Sequence, residues 1–125
     1  MILIDTSVLV DHLRGHGPAR QALRAAADAG EHLACSVVTK VEVLAGMRPS
    51  EEDATRELFR ALDWVGVDDE IAEHAGRLAN RFLPSHPGVD PVDYIIAATA
   101  DRLEAPLWTR NLKHFPMFPD LVGPY

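Results

Sequence analysis

The stretch MILIDTSVLV, residues 1–10, decides how the rest of the chain is read. Met1 to Ile4 are consecutively apolar with β-branched members, which predicts a buried strand, and Asp5 stands at its carboxyl end. Thr6 or Ser7 is positioned to cap a short helix to about Arg14, and Gly15, Gly17 and Pro18 separate it from an alanine-rich helix reaching Gly30. HLACS at 32–36 reads as the next strand. From Val37, the residues Val37, Val38, Val41, Leu44 and Ala45 follow helical spacing up to Gly46 and Pro49, with Glu42 at the edge of that stripe. Ser50 and Asp53 resemble a capping box opening a helix to about Leu62. WVGV at 64–67 reads as a strand, and 69–83 as a helix with Ile71, Ala75, Leu78, Ala79 and Phe82 on one face. After the loop PSHPGV comes DPVDYIIAATADRLEA, residues 90–105, and then PLWT at 106–109 returns as a strand. Strands alternating with helices predict an α/β domain with a mostly parallel sheet of four or five strands. The functional crevice of such a sheet lies at the carboxyl ends of its strands.

The gross properties agree with one domain spanning residues 1–125, large enough for a genuine core. Apolar residues make up 47% and charged residues 25%, which are globular proportions. The lone cysteine, Cys35, excludes an intrachain disulfide and a thiolate metal cluster, and reads as a small buried residue in a reducing compartment. Asp5 interrupts the apolar start, no basic leader precedes it, and no stretch approaches a membrane span, so a cytoplasmic protein without a membrane partner is expected. The net charge of −7 argues against a nucleic-acid binder if taken alone. It loses that force if the acids concentrate at a metal site, because a bound cation attracts phosphate.

The run DPVD shows why such a site is expected. Asp90 reads as a helix N-cap, Pro91 as the first helical residue and Asp93 as the third, where a negative charge suits the helix dipole. Yet Asp93 shares a face with Ile96, Ala97 and Ala100, so the helix carries an acid toward the interior, and a buried acid needs a partner. Asp5 ends the first strand and Glu42 sits in the helix after the second. Each acid has an ordinary structural role when taken singly, but all three could face one crevice. Like charges gathered in one place persist only if a cation holds them, and carboxylate oxygens suit Mg2+ or Mn2+. That chemistry cuts phosphodiesters.

The segments MILIDTSVLVDHL, SVVTKVEVLAGM, DPVDYIIAATA and LWTRNLKHF, in that order over nearly the whole chain, resemble the successive motifs of PIN-domain ribonucleases. The resemblance is specifically to the VapC-type toxins of bacterial toxin–antitoxin pairs. It implies a PIN-like three-layer fold with a parallel five-stranded sheet flanked by helices. It further implies a Mg2+ or Mn2+ site on Asp5, Glu42 and Asp93, endoribonuclease activity, a homodimer and a cognate antitoxin that covers the site. The family often carries a fourth acid where this chain has Asn111, which brings an amide oxygen without charge and puts a second metal in doubt. Thr6, Ser7 and Thr109 are candidate auxiliary hydroxyls, and Arg14, Lys40, Arg48, Arg110 and Lys113 candidate contacts for RNA phosphates.

Other constellations carry less. His12 and His16 have the spacing of a zinc pair but lack the His-Glu-x-x-His pattern, and Gly15 and Gly17 fray their helix. Ser7, Cys35 and the histidines form no nucleophile–base set. Trp64 and Trp108 read as core residues rather than base-stacking platforms. Two alternatives remain: a catalytically degenerate PIN-like binding module, given Asn111, and a receiver-type phospho-signalling domain. The receiver needs paired acids after the first strand, where Asp5 stands alone.

Overall fold

Ile2–Ile4 forms strand β1, and its side chains alternate between two apolar layers, as an extended chain requires. Ile2 and Ile4 join Cys35, Val8, Leu9, Leu23 and Val43 on one side of the sheet. Leu3 joins Ala34, Leu107, Ile96, Ala97 and Ala100 on the other. The computed structural model describes residues 1–125. After β1 come α1 (Thr6–Leu13), α2 (Gly17–Asp28), β2 (Leu33–Ser36), α3 (Val37–Ala45), a 3-10 turn (Pro49–Glu51), α4 (Glu52–Arg60) and β3 (Asp63–Val65). The chain closes with α5 (Asp69–Phe82), α6 (Pro91–Leu103), β4 (Leu107–Trp108) and a second 3-10 turn (Leu112–His114).

The four strands are all parallel in the order β3-β2-β1-β4, with helices on both faces. The chain moves outward from β1 through β2 to β3, then crosses back through α5 and α6 to lay β4 on the other side of β1. The strand order therefore reverses between β1 and β4, and a crevice opens outside their carboxyl ends. Asp5 follows β1 there and Thr109 follows β4. Helix α6, which packs on α5, starts at the same end through a reciprocal cap: Asp90 Oδ1 accepts from the Val92 N–H at 2.8 Å, and Asp93 Oδ2 accepts from the Asp90 N–H at 3.2 Å.

Four expectations are corrected. The sheet has four strands and lacks the fifth that the family resemblance implies; beyond β4 the chain turns at Phe118 and Leu121, whose side chains pack beside Leu107. Neither Thr6 nor Ser7 caps α1: Asp5 occupies the N-cap position without a side-chain cap bond, because both hydroxyls and the carboxylate are engaged elsewhere. On α3, Val41 and Leu44 are 69% and 43% exposed while Thr39 and Val43 are buried, so the stripe is rotated from the one the apolar spacing suggests. The turn before α4 starts at Pro49 and not at Ser50, with the Glu51 carboxylate accepting from the Arg48 N–H at 2.8 Å. The predicted apolar face of α5 is correct, with Ile71 and Ala75 buried and Leu78, Ala79 and Phe82 packed beside them.

Candidate active site

The crevice is a cleft of about 490 Å3 whose lining includes Asp5, Glu42, Asp90, Asp93, Asn111 and His114. Asp5 is only 4% exposed. Its Oδ2 accepts from Ser7 Oγ at 2.8 Å and from Thr109 Oγ1 at 2.7 Å, so β1, α1 and the segment after β4 all meet on one oxygen. Its Oδ1 takes no hydrogen bond from the protein and is not sealed from the cleft. The two hydroxyls are themselves fixed from behind: Arg110 N–H donates to Ser7 Oγ at 3.0 Å, and Asn111 N–H donates to Thr109 Oγ1 at 2.9 Å. Local turn chemistry thus aims the acid.

Asp93 projects from the first turn of α6 and is 8% exposed. Burial pushes its carboxyl up to about 6; the nearby Asp90 and Asp5 charges add to the rise, while the Asp90 N–H and the His114 imidazole oppose it. His114 Nδ1 stands 3.2 Å from Asp93 Oδ2. Glu42, on α3, is more exposed and is held by Thr6, whose Oγ1 donates to Oε1 at 2.6 Å.

These groups have the chemistry of a divalent-cation site. The donors are hard carboxylate oxygens, two of them on nearly buried acids, and Asp5 keeps one oxygen without a donor. No three acidic, histidine or cysteine side chains stand close enough to close around one ion. That geometry suits Mg2+ or Mn2+, which hold one or two carboxylates and fill the remaining positions with water or substrate oxygens. The residues fit such an ion through Asp5 and Asp93, and Glu42 lines the same cleft.

The remaining candidates separate. Thr6, Ser7, Arg110 and Asn111 line the cleft, and Thr109 lies directly behind it. The Asn111 side chain makes no cap bond to the turn that follows it. Lys40 sits over the Trp64 ring, 4.4 Å from its centroid, and is a packing residue. Arg14 opens onto a separate small pocket, and Arg48 and Lys113 lie outside the cleft. Trp64 is half-buried against the core, as a packing residue would be, and donates to the Phe59 carbonyl at 3.0 Å. The sequence carries no signal for two lining residues, His114 and Asp11, or for Tyr125, which does not line the cleft but donates its hydroxyl to Asp11 Oδ2 at 2.7 Å. Asp11 and Tyr125 are 114 positions apart, and no local spacing signals such a contact.

A PIN domain family profile matches residues 2–116. The chain is 50% identical over 125 residues to Ribonuclease VapC19 of Mycobacterium tuberculosis, with all of both chains covered. It is 43% identical over 128 residues to Ribonuclease VapC10 of the same organism, covering all of this chain and 93% of that one. Among solved structures, a toxin–antitoxin complex from Klebsiella pneumoniae superposes with a TM-score of 0.82 at 31% identity, covering 100% of this chain and 98% of that one. At 20% identity, VapBC2 from Rickettsia felis bound to a promoter DNA fragment shares the fold with a TM-score of 0.82, covering 98% and 96% of the two chains. No helix is long and apolar enough to cross a membrane.

Proposed function

The chain belongs to the PIN domain family and is an endoribonuclease toxin of a toxin–antitoxin pair, and from that premise we propose how its cleft performs the reaction. The observation that carries the proposal is the meeting of Asp5, Glu42 and Asp93 in one cleft at the carboxyl end of β1. Asp5 and Asp93 would hold Mg2+ or Mn2+, with Glu42 orienting its water shell. When bound, the ion supplies charge stabilisation at the scissile phosphate and lowers the pKa of the attacking water.

The chain's own groups do the rest. Ser7 and Thr109 keep Asp5 Oδ2 occupied, which leaves Oδ1 as its outward oxygen. The Asp90 N–H and His114 hold Asp93 Oδ2, so this acid enters the cleft in one orientation. Thr6 restrains the exposed Glu42 side chain through its hydrogen bond to Oε1. Water attacks in line, the 3′ oxygen leaves and the product carries a 5′ phosphate; no side chain serves as nucleophile. The neutral Asn111 adds no fourth charge, which favours a single ion. The partners in this reading are an RNA substrate, a cognate antitoxin and a second copy of the chain, all in the cytoplasm.

Incubating the purified chain with structured RNA and Mg2+ or Mn2+ tests this. Cleavage with 5′-phosphate ends is expected, lost on chelation and in Asp93→Asn. Full activity of Asp93→Asn would remove that residue from the site. Absence of cleavage at every metal concentration would instead mark a PIN-like binding module.

A further inference from the structure

We propose that Arg110 is a phosphate-binding arm of the cleft and that Asp11 and Tyr125 are the positioning residues that hold it there. The inference rests on the ribonuclease reading above and adds residues to it. The cleft collects five carboxylates, those of Asp5, Asp11, Glu42, Asp90 and Asp93, and Arg110 is the only arginine or lysine among its lining residues. An RNA strand approaching so many acids needs a fixed positive group beside them, since like charges repel it everywhere else.

Arg110 is built into such a position. Its backbone N–H donates to Ser7 Oγ, the hydroxyl that in turn donates to Asp5, so the root of the arm is tied to the reacting end of the cleft. Its Nη1 donates to Asp11 Oδ2 at 3.1 Å, and His16 Nε2 stands 3.5 Å away. The guanidinium lies over the Tyr125 ring, 5.0 Å from the centroid, and the Tyr125 hydroxyl donates to the same Asp11 oxygen at 2.7 Å. One carboxylate oxygen therefore receives both the arm and the ring that backs it.

This arrangement consumes one end of the guanidinium only. Nε and Nη2 have no acceptor in the protein, and together they make the planar two-pronged fork that matches two non-bridging phosphate oxygens. An exposed arginine–aspartate pair contributes little to stability. Its value here is orientation: a ring on one side and a carboxylate at one tip remove rotamer freedom that phosphate binding would otherwise have to freeze.

The test uses cleavage of a single-stranded RNA oligonucleotide with Mn2+ by the wild type, Arg110→Ala, Arg110→Lys, Tyr125→Phe and the double variant Arg110→Ala/Tyr125→Phe. Arg110→Ala is expected to raise KM by about tenfold or more while kcat changes far less, as loss of one charge-assisted contact implies. Arg110→Lys should recover only part of this, because the fork is lost. Tyr125→Phe, which keeps the ring and removes the bond to Asp11, should raise KM in the same direction, and the double variant should be no worse than Arg110→Ala alone. In an Asp93→Asn background, where the RNA survives, Arg110→Ala should reduce the slope of log affinity against log salt by about 0.7, one single-strand phosphate contact. Calorimetric Mn2+ binding should be unchanged in Tyr125→Phe. An unaltered KM and salt slope in Arg110→Ala overturns the phosphate arm; additive effects of the two substitutions overturn the positioning role. A wild type that cuts no RNA defeats the ribonuclease reading, and the salt slope still decides Arg110.

Discussion

At the scale of single residues, the two carboxylates of DPVD separate into different jobs. Asp90 serves backbone N–H groups, so Asp90→Ala should cost about 0.5–2 kcal/mol of stability and leave Mn2+ affinity nearly unchanged. Asp93→Asn should instead weaken Mn2+ binding and abolish cleavage while the metal-free protein stays as stable or gains, because a buried charge near Asp5 and Asp90 disappears. Thermal melts and calorimetric titration of the two variants check both. A pH dependence follows from the raised carboxyl of Asp93. Its folded value, about 6, exceeds the ordinary 3.8, so the folded state holds the proton more tightly. The associated stability is present in full below the lower value and is lost as pH rises through about 6. In chelator, the melting temperature of the wild type relative to Asp93→Asn should fall over that window, and Mn2+ affinity should rise across it. The placements of both, Asp90 at the N-cap and Asp93 buried at the third position, were legible, since that spacing is local. His114 and Asp11 were not, because their partners come from elements far away in sequence.

At the scale of elements, apolar runs bounded by breakers located β1, β2, α5 and α6 to within a residue or two, since their burial is uniform or strictly periodic. Helix α3 shows where periodicity stops being informative. Its β-branched and aliphatic residues occupy more than one face, so Val37, Val38, Val41 and Leu44 make a plausible stripe. The native contacts instead turn Thr39 and Val43 inward and bring Glu42 to Thr6 across from α1. Only the docking of α3 against α1 decides between the faces. Val43→Ala should therefore cost about 1.5–3 kcal/mol, whereas Val41→Lys should stay within about 0.5 kcal/mol of the wild type in urea unfolding. A large loss at Val41 would mean that the exposed face of this helix is covered in solution.

At the scale of the molecule, the acidic balance is the quantity most easily misread. A net charge of −7 argues against an RNA enzyme only if the charge is spread evenly, and here five of the 19 acidic residues line one cleft. The fold causes that concentration: the reversal of strand order beside β1 draws the ends of β1, β4 and α6 to one point, where each delivers an acid or the hydroxyl that orients one. Because the acids that would act on RNA are confined to the cleft, a single change there should uncouple toxicity from folding. Expression of the wild type in a bacterial host should arrest growth, and Asp93→Asn, expressed to the same level and melting at or above the wild-type temperature, should not. Co-expression of the open reading frame beside the natural gene should restore growth to cells making the wild type. Arrest that persists with Asp93→Asn would place the toxic activity outside this cleft, and failure of both adjacent frames to relieve it would count against a neighbouring antitoxin while leaving the nuclease chemistry standing.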